Sequence, residues 1–100
     1  LLIVGWGSTY GAITAALRAQ REKGRRIGHV HLRHLNPFPR NLGNVLRRYP
    51  RVLVPELNRG QLRHLLRAEF LIDAIGMNKV QGMPFKTFEI EDKIVEMTRP

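Results

Sequence analysis

The sequence predicts an α/β domain, a three-layer α/β/α sandwich around a mainly parallel sheet with the strand order 2-1-3-4. The first observation is the opening run of aliphatic residues at positions 1–4, which Gly5 and Gly7 follow. Such a run is typical of a strand that is buried on both faces and turns sharply into a helix. A second wholly apolar run, at 52–54, indicates another central strand. Strand and helix patterns alternate with short links, and this order implies parallel strands joined by right-handed crossovers.

The first half of the chain predicts a helix and an edge strand after the opening run. Residues 8–23 form the predicted helix, with Ser8 as its cap and Gly24 as its stop. Its sheet-facing side is expected to carry Ala12, Ile13, Ala16, Leu17 and Gln20. Residues 27–35 alternate with a period of two, which indicates a strand with one well-buried face, at or near an edge of the sheet.

The second half predicts two further strands and three helices. Prolines within residues 36–39 fix a rigid turn, and Asn41 is expected to cap a short helix that Pro50 ends. The third strand, at 52–54, is expected to close at Pro55. A fourth, weaker strand covers 73–80, and a last helix runs from 88 to about 97 with Thr87 as its cap. Between the third and fourth strands, a further helix is predicted to carry the apolar stripe Leu62, Leu65, Leu66, Glu69 and Phe70.

The net charge of +9 is concentrated in one part of the chain. Residues 18–51 hold ten Lys or Arg against one acid, whereas the remainder holds seven of each sign. Thirteen of the seventeen cations are Arg, which suits bidentate contact with phosphate or carboxylate. No aromatic interleaving or nucleic-acid motif accompanies them, so we expect no nucleic-acid partner. A solvated face or a contact with an acidic neighbouring subunit is the expected role of this basic region.

Composition restricts the classes of protein further. The chain has no cysteine, which excludes disulfides, thiolate zinc sites and an iron–sulfur cluster held by its own side chains. No apolar run approaches the length of a membrane span and no signal peptide is visible, so we expect no membrane partner and a cytoplasmic location. Because the sequence starts without Met inside an apolar run, we expect residues 1–100 to be a single domain and a fragment of a longer subunit.

The glycine turn is the first candidate site, and it has two interpretations. The spacing of Gly5, Gly7 and Gly11 departs from the dinucleotide fingerprint because the third glycine falls one residue late, and no acid follows the second strand. Arg33 stands at the end of that strand and suits a 2′-phosphate, so a free-standing NADP-type nucleotide-binding module is the alternative function. Trp6 lies where a pyrophosphate needs open backbone. A tight structural turn facing a neighbouring domain is therefore the favoured interpretation.

The histidines do not predict a metal site. His29 and His31 share one face of a strand, but neither has an acidic or Cys third ligand nearby in sequence. His34 points to the other face of that strand, and His64 lies among arginines on a helix. We therefore expect ordinary polar or partly buried histidines and no bound metal.

Glu56 and Asn58 follow the third strand, at the edge of the sheet where functional groups of this fold class gather. In one interpretation Asn58 caps the next helix while Glu56 binds local amides; in the other, the two form part of a polar site. The capping interpretation is favoured because Asn is common at helix caps. The chain offers no second carboxylate, no Ser/His/Asp arrangement and no phosphate-binding loop to complete an active site. We therefore predict no catalytic residue and no self-contained enzyme.

Four separated motifs, in order along nearly the whole chain, resemble one family. They are GWGSTYGAI at 5–13, LRHLNPFP at 32–39, VPELNRGQL at 54–62 and NKVQGMPF at 78–85. The chain resembles the C-terminal domain of the alpha subunit of 2-oxoacid:ferredoxin oxidoreductases, and most closely that of the 2-oxoglutarate enzymes. The resemblance implies a fold similar to the C-terminal domain of transketolases.

The resemblance also implies the chemistry of a whole enzyme. Such enzymes oxidatively decarboxylate a 2-oxoacid on thiamine diphosphate and magnesium, pass electrons through an iron–sulfur cluster to ferredoxin, and transfer the acyl group to coenzyme A. The implied partners are the other domains of the alpha subunit, the beta subunit, ferredoxin and coenzyme A. The chain lacks the GDG motif with paired Asn that binds thiamine diphosphate, so we expect it to bind no cofactor itself and to serve assembly.

The turns at the carboxyl ends of the strands are the expected contacts with the pyrimidine-binding and catalytic domains of such an enzyme. These candidate interdomain contacts are Trp6, Ser8, Thr9, Tyr10, Asn36, Pro37, Phe38, Glu56, Asn58, Arg59 and Gln61.

Overall fold

The computed structural model describes residues 1–33, 35, 38–57, 60–79 and 83–98. Along these ranges the chain forms the strands β1 (Leu2–Trp6), β2 (Gly28–Leu32), β3 (Val52–Glu56) and β4 (Ala74–Asn78). The helices are α1 (Tyr10–Glu22), α2 (Leu42–Arg47), α3 (Gln61–Phe70) and α4 (Thr87–Met97), and one turn of 3₁₀ helix spans Gly7–Thr9. The predicted contacts Asn36, Pro37, Asn58 and Arg59 lie outside the described residues, as do His34 and the end of the predicted fourth strand.

The four strands run parallel in the order β2-β1-β3-β4, which confirms the predicted topology. β1 pairs with β2 over its whole length, from Leu2 opposite Gly28 to Trp6 opposite Leu32. The ladder between β1 and β3 covers only the first two pairs, at Leu2 and Ile3. It therefore stops before the carboxyl ends of these strands, after which α1 and α3 pack on opposite faces of the sheet.

Helices cover both faces of the sheet, as the three-layer prediction requires. Since side chains of a strand alternate between its faces, Leu2 and Val4 enter one core while Ile3 enters the other. The first core is completed by residues of α2 and α3: Leu42, Leu46, Leu62 and Leu66. The second is completed by residues of α1 and α4: Ile13, Ala16, Leu17, Ile90, Ile94 and Met97.

Two predicted positions in the sheet are confirmed. β2 is an edge strand, and of its residues only Leu32 is fully buried. β3 is central and buried along its whole length.

Pro55 does not end β3 as expected, because it lies inside the strand, opposite Met77 of β4. Proline cannot donate to a ladder. The ladder between β1 and β3 ends at Leu53, so the strand does not need a backbone N–H at position 55 to bond to β1.

The predicted faces of the helices are confirmed for α1 and only partly for α3. Ile13, Ala16, Leu17 and Gln20 of α1 are buried, and Ala12 is half-buried. In α3, Leu62 and Leu66 are buried and Phe70 is half-buried, whereas Leu65 and Glu69 are exposed. The ten-residue helix turns a narrow stripe with four-residue spacing toward the sheet, so the residues beside that stripe reach solvent.

The predicted helix caps are wrong in three places. Ser8 lies in the 3₁₀ turn and caps nothing, because α1 begins only at Tyr10. Asn41 holds the predicted cap position before α2, but its side chain makes no cap bond. Thr87 is the first residue of α4, and the cap position belongs to Lys86, whose backbone N–H donates to the carboxylate of Glu89 at 2.8 Å. The predicted stop at Gly24 is confirmed, since this residue takes a positive φ of 88° directly after α1.

Candidate interdomain surface at the carboxyl ends of the strands

A buried carboxylate joins three elements at the carboxyl end of the sheet. Glu56, the last residue of β3, is only 1% exposed. Its Oε1 accepts hydrogen bonds from the indole Nε1 of Trp6 at 3.0 Å and from the backbone N of Leu62 at 2.6 Å. Its Oε2 accepts from the backbone N of Arg63 at 3.2 Å. This cluster, the Glu56 clamp, links β1, β3 and the first turn of α3.

The chain folds this way because the first amides of a helix lack partners within the helix. The residue before α3 is Gly60, which adopts φ 91° and has no side chain to cap those amides. Glu56 supplies the acceptor instead, and its negative charge suits the positive end of the helix dipole. The predicted cap Asn58 lies outside the described residues, and Gly60 holds the cap position; the other half of that interpretation, Glu56 binding local amides, is confirmed.

The Glu56 clamp is suited to holding elements together. The three partners that Glu56 has among the described residues are all N–H donors, and its carboxyl oxygens accept from each of them. A general base must reach the proton of a bound substrate. Glu56 is buried and both of its oxygens are engaged, so its geometry favours a structural role.

The glycine turn beside the clamp packs tightly, and this favours the structural interpretation over the NADP one. A Cβ on Gly5 would stand 2.6 Å from Cδ1 of Ile13, so the missing side chain lets α1 lie close against β1. Gly7 adopts φ 66°, a conformation that favours glycine. The cavity next to the turn, lined by Trp6 and Leu57 among others, holds about 130 Å³. Cofactor pockets are usually about 300–1,000 Å³.

The structure brings several of the predicted contact residues together at this edge of the sheet. Trp6, Ser8 and Thr9 line the same small cavity, and Trp6 binds Glu56. Thr9 is buried, and its hydroxyl donates to the carbonyl of Trp6 at 3.0 Å. Ser8 is exposed, as is Tyr10. We call the exposed turn residues Ser8, Tyr10 and Gln61, with the half-buried Trp6 and Leu57, the carboxyl-end surface.

A second, more apolar depression lies beside α3. Phe38 packs against Phe70, with 5.7 Å between ring centroids, and the two rings line a groove of about 620 Å³ with Leu65. Gln61 lines the same groove and connects it to the carboxyl-end surface. The place of Leu65 and Phe70 in this groove was not predicted, because both residues fit the pattern of a buried stripe on α3.

The histidines of β2 form a small aromatic cluster with Tyr10. The centroid of the Tyr10 ring lies 5.9 Å from that of His29 and 5.0 Å from that of His31. Burial, then the neighbouring His31 and Arg21, lower the pKa of His29 below its usual value of 6.5. Among the residues that the structure describes, no group of three or more His, Cys, Asp or Glu side chains could hold a metal ion.

Comparison with known proteins connects this geometry to a family. Residues 1–92 match the family described as pyruvate:ferredoxin oxidoreductase core domain II. The chain belongs to this family. The 2-oxoglutarate oxidoreductase subunit KorA of Mycobacterium tuberculosis is 54% identical over 90 residues, which are 90% of this chain and 14% of that protein. The 2-oxoglutarate synthase subunit KorA of Methanocaldococcus jannaschii is 36% identical over 83 residues, which are 76% of this chain and 22% of that protein.

A solved structure supports the same assignment. It is the 2-oxoglutarate:ferredoxin oxidoreductase from Magnetococcus marinus with 2-oxoglutarate, coenzyme A and succinyl-CoA bound. It superimposes with a TM-score of 0.91 and 30% identity over 98% of this chain and 18% of that chain. The chain of core domain II thus spans less than a quarter of each of these relatives. The family recognised from the four sequence motifs is confirmed.

The cofactors implied for a whole enzyme of this family do not fit the residues of this core domain II. An iron–sulfur cluster is held by cysteine thiolates, and the sequence contains none. Magnesium takes oxygen ligands, and the described ranges bring no three carboxylate or imidazole groups together. We therefore derive no reaction step through these groups in this chain. No helix within the described ranges is both long and apolar enough to cross a membrane.

Proposed function

We propose that the chain is a domain of the alpha subunit of a 2-oxoglutarate:ferredoxin oxidoreductase. That enzyme would convert 2-oxoglutarate, coenzyme A and oxidised ferredoxin to succinyl-CoA, carbon dioxide and reduced ferredoxin on thiamine diphosphate. The observation that carries the proposal is the 54% identity, over 90% of this chain, to the 2-oxoglutarate oxidoreductase subunit of Mycobacterium tuberculosis. The match to the Magnetococcus marinus enzyme, whose structure holds 2-oxoglutarate and succinyl-CoA, supports the same substrate.

Within that enzyme we assign the chain an assembly role. The only buried carboxylate among the described residues, Glu56, is engaged by three N–H donors inside the domain. The Glu56 clamp gives the turns around it a fixed shape, because it ties β1 and β3 to α3. A rigid turn surface is suited to docking, since little conformational freedom is lost on contact.

The carboxyl-end surface is the proposed contact with other domains of the alpha subunit or with the beta subunit. Tyr10 is 53% exposed there, and Phe38 and Leu65 present apolar area in the adjoining groove. Exposed apolar area of this kind is typical of surfaces that other domains cover. In an assembled enzyme these side chains would be buried.

The substrate is tested with the purified enzyme that contains this chain. We expect ferredoxin reduction that depends on both 2-oxoglutarate and coenzyme A and is much slower with pyruvate. Equal or faster turnover of pyruvate would contradict the choice of substrate and leave the family assignment intact.

The assembly role is tested separately with Ser8→Trp, which adds bulk to the carboxyl-end surface at a side chain that caps no helix. We expect this variant to lower the yield of assembled enzyme on size-exclusion chromatography, while the enzyme that does assemble keeps its turnover per complex. The matched control is Arg48→Trp, because Arg48 is exposed just after α2, at the amino end of the sheet. Full assembly with Ser8→Trp would contradict the proposed surface.

A further inference from the structure

A polar groove runs between α1 and the edge strand β2 and meets the carboxyl-end surface at Tyr10. It encloses about 540 Å³ and is lined chiefly by Tyr10, Thr14, Arg18, Arg21, Glu22 and His29. Tyr10, Thr14 and Arg18 follow one another at four-residue spacing and therefore share one face of α1. β2 forms the other wall because no strand covers its outer edge among the described residues.

Two buried polar atoms in this α1–β2 groove have no hydrogen-bond partner among the described residues. They are Oγ1 of Thr14 and Nε2 of His29. A buried polar atom without a partner destabilises a fold by about 1–3 kcal/mol, and such atoms are uncommon in native proteins. Both side chains line the groove, so a rotation of either would turn its unpartnered atom toward a ligand placed there.

The arginines of the groove are arranged to receive an anion. Arg21 donates from Nε at 3.1 Å and from Nη2 at 2.6 Å to the backbone carbonyl of Ile27, which fixes its guanidinium beside β2. A guanidinium has five N–H groups, so three of its donors remain for another acceptor. Arg18 lies one turn earlier and is exposed, and its side chain makes no hydrogen bond or ion pair with another described residue.

The titratable groups around His29 favour the same chemistry. On α1 these are Tyr10, Arg18, Arg21 and Glu22, and on β2 the neighbour is His31. Burial, then His31 and Arg21, lower the pKa of His29, so at neutral pH the ring is uncharged and carries one N–H. Among the described residues that line the groove, Glu22 is the one acid.

We propose that the α1–β2 groove is a binding site for a phosphate group, held by the guanidinium groups of Arg18 and Arg21, the hydroxyl of Thr14 and the imidazole N–H of His29. Phosphate fits because it offers several acceptor oxygens and matches the planar fork of Arg. The proposal is independent of the reaction assigned above, since the four residues that would hold the phosphate lie outside the carboxyl-end surface.

The test is arginine footprinting of the intact purified protein with phenylglyoxal, read out by peptide mass spectrometry. Inorganic phosphate is titrated while sodium chloride holds the ionic strength constant. We expect phosphate to slow the modification of Arg18 in a saturable manner, by at least threefold. Arg48, exposed beyond α2, serves as the internal control, and its rate should stay constant.

A matched variant and a second anion sharpen the outcome. Thr14→Val keeps the shape of the side chain but removes the hydroxyl. The phosphate concentration that gives half-maximal protection of Arg18 should rise by about three- to tenfold, which corresponds to the loss of one hydrogen bond. Thr14→Val also removes an unpartnered buried atom, so the variant is expected to fold. Equal slowing of Arg18 and Arg48, no protection of Arg18, or unchanged protection in Thr14→Val would overturn the proposal. Stronger protection by succinate than by phosphate would overturn the choice of phosphate.

Discussion

The Glu56 clamp makes a quantitative prediction for Glu56→Gln. The amide keeps the size of the side chain, but one of its two ends now carries N–H groups. In one orientation this end faces the backbone N–H of Arg63; in the other it faces the N–H groups of Trp6 and Leu62. Either way at least one buried donor loses its acceptor, which destabilises the fold by about 1–3 kcal/mol. Loss of the charge at the start of α3 adds about 0.3–1 kcal/mol.

We therefore expect Glu56→Gln to lower the free energy of unfolding by about 2–3 kcal/mol. The assay is urea unfolding followed by far-ultraviolet circular dichroism, with the midpoint shifted and the slope unchanged. Glu69→Gln is the matched control: Glu69 is exposed on the same helix, so its change should stay within about 0.5 kcal/mol. A loss below about 0.5 kcal/mol in Glu56→Gln would refute the clamp as a stabilising element.

Further predictions concern the glycine turn and the histidines. Gly5→Ala should destabilise the protein by about 1–3 kcal/mol in thermal unfolding, because the added Cβ would press on the buried Ile13. Gly11→Ala, where a Cβ meets nothing within 4 Å, should instead stabilise α1 by about 0.5–1 kcal/mol; a loss of similar size in both variants would contradict this account of the turn. His29 has a pKa below 6.5 in the folded state, so the stability it confers is present above that pH and is lost as the pH falls below it. In urea unfolding at several pH values, the free energy of unfolding should fall less steeply below pH 6.5 in His29→Gln than in the unchanged protein. An equally steep fall in both proteins would exclude His29 as the cause of the pH dependence.

The fold could be predicted in detail because local and global signals agree. The aliphatic runs of β1 and β3 have no other place than the centre of a parallel sheet, and the alternation in β2 identified its edge position. In the order β2-β1-β3, right-handed crossovers place α1 on one face of the sheet and α2 on the other, and so cover both faces.

The sequence could predict where along the sheet the candidate site lies, but it could not predict all of the contacts within the site. That Glu56 would meet the amides of α3 follows from its place after a central strand, but its bond to Trp6 depends on how β1 and β3 end, which is a tertiary property. The cap predictions at Ser8, Asn41 and Thr87 failed because cap residues are common in turns of every kind, and helix starts shift by a residue or two. The α1–β2 groove was missed because its arginines lie on a helix and His29 on the following strand, and they meet only when these two elements pack.

One measurement tests most directly whether the carboxyl-end surface is an interface. A photo-reactive benzophenone amino acid replaces Ser8 in the intact enzyme that contains this chain, and a second sample carries it at Arg48, at the opposite end of the sheet. After irradiation, cross-linked peptides are identified by mass spectrometry. Our account predicts cross-links from position 8 to residues outside this 100-residue segment, and few from position 48. Cross-links from position 8 only within the segment, or equal yields from both positions, would contradict it.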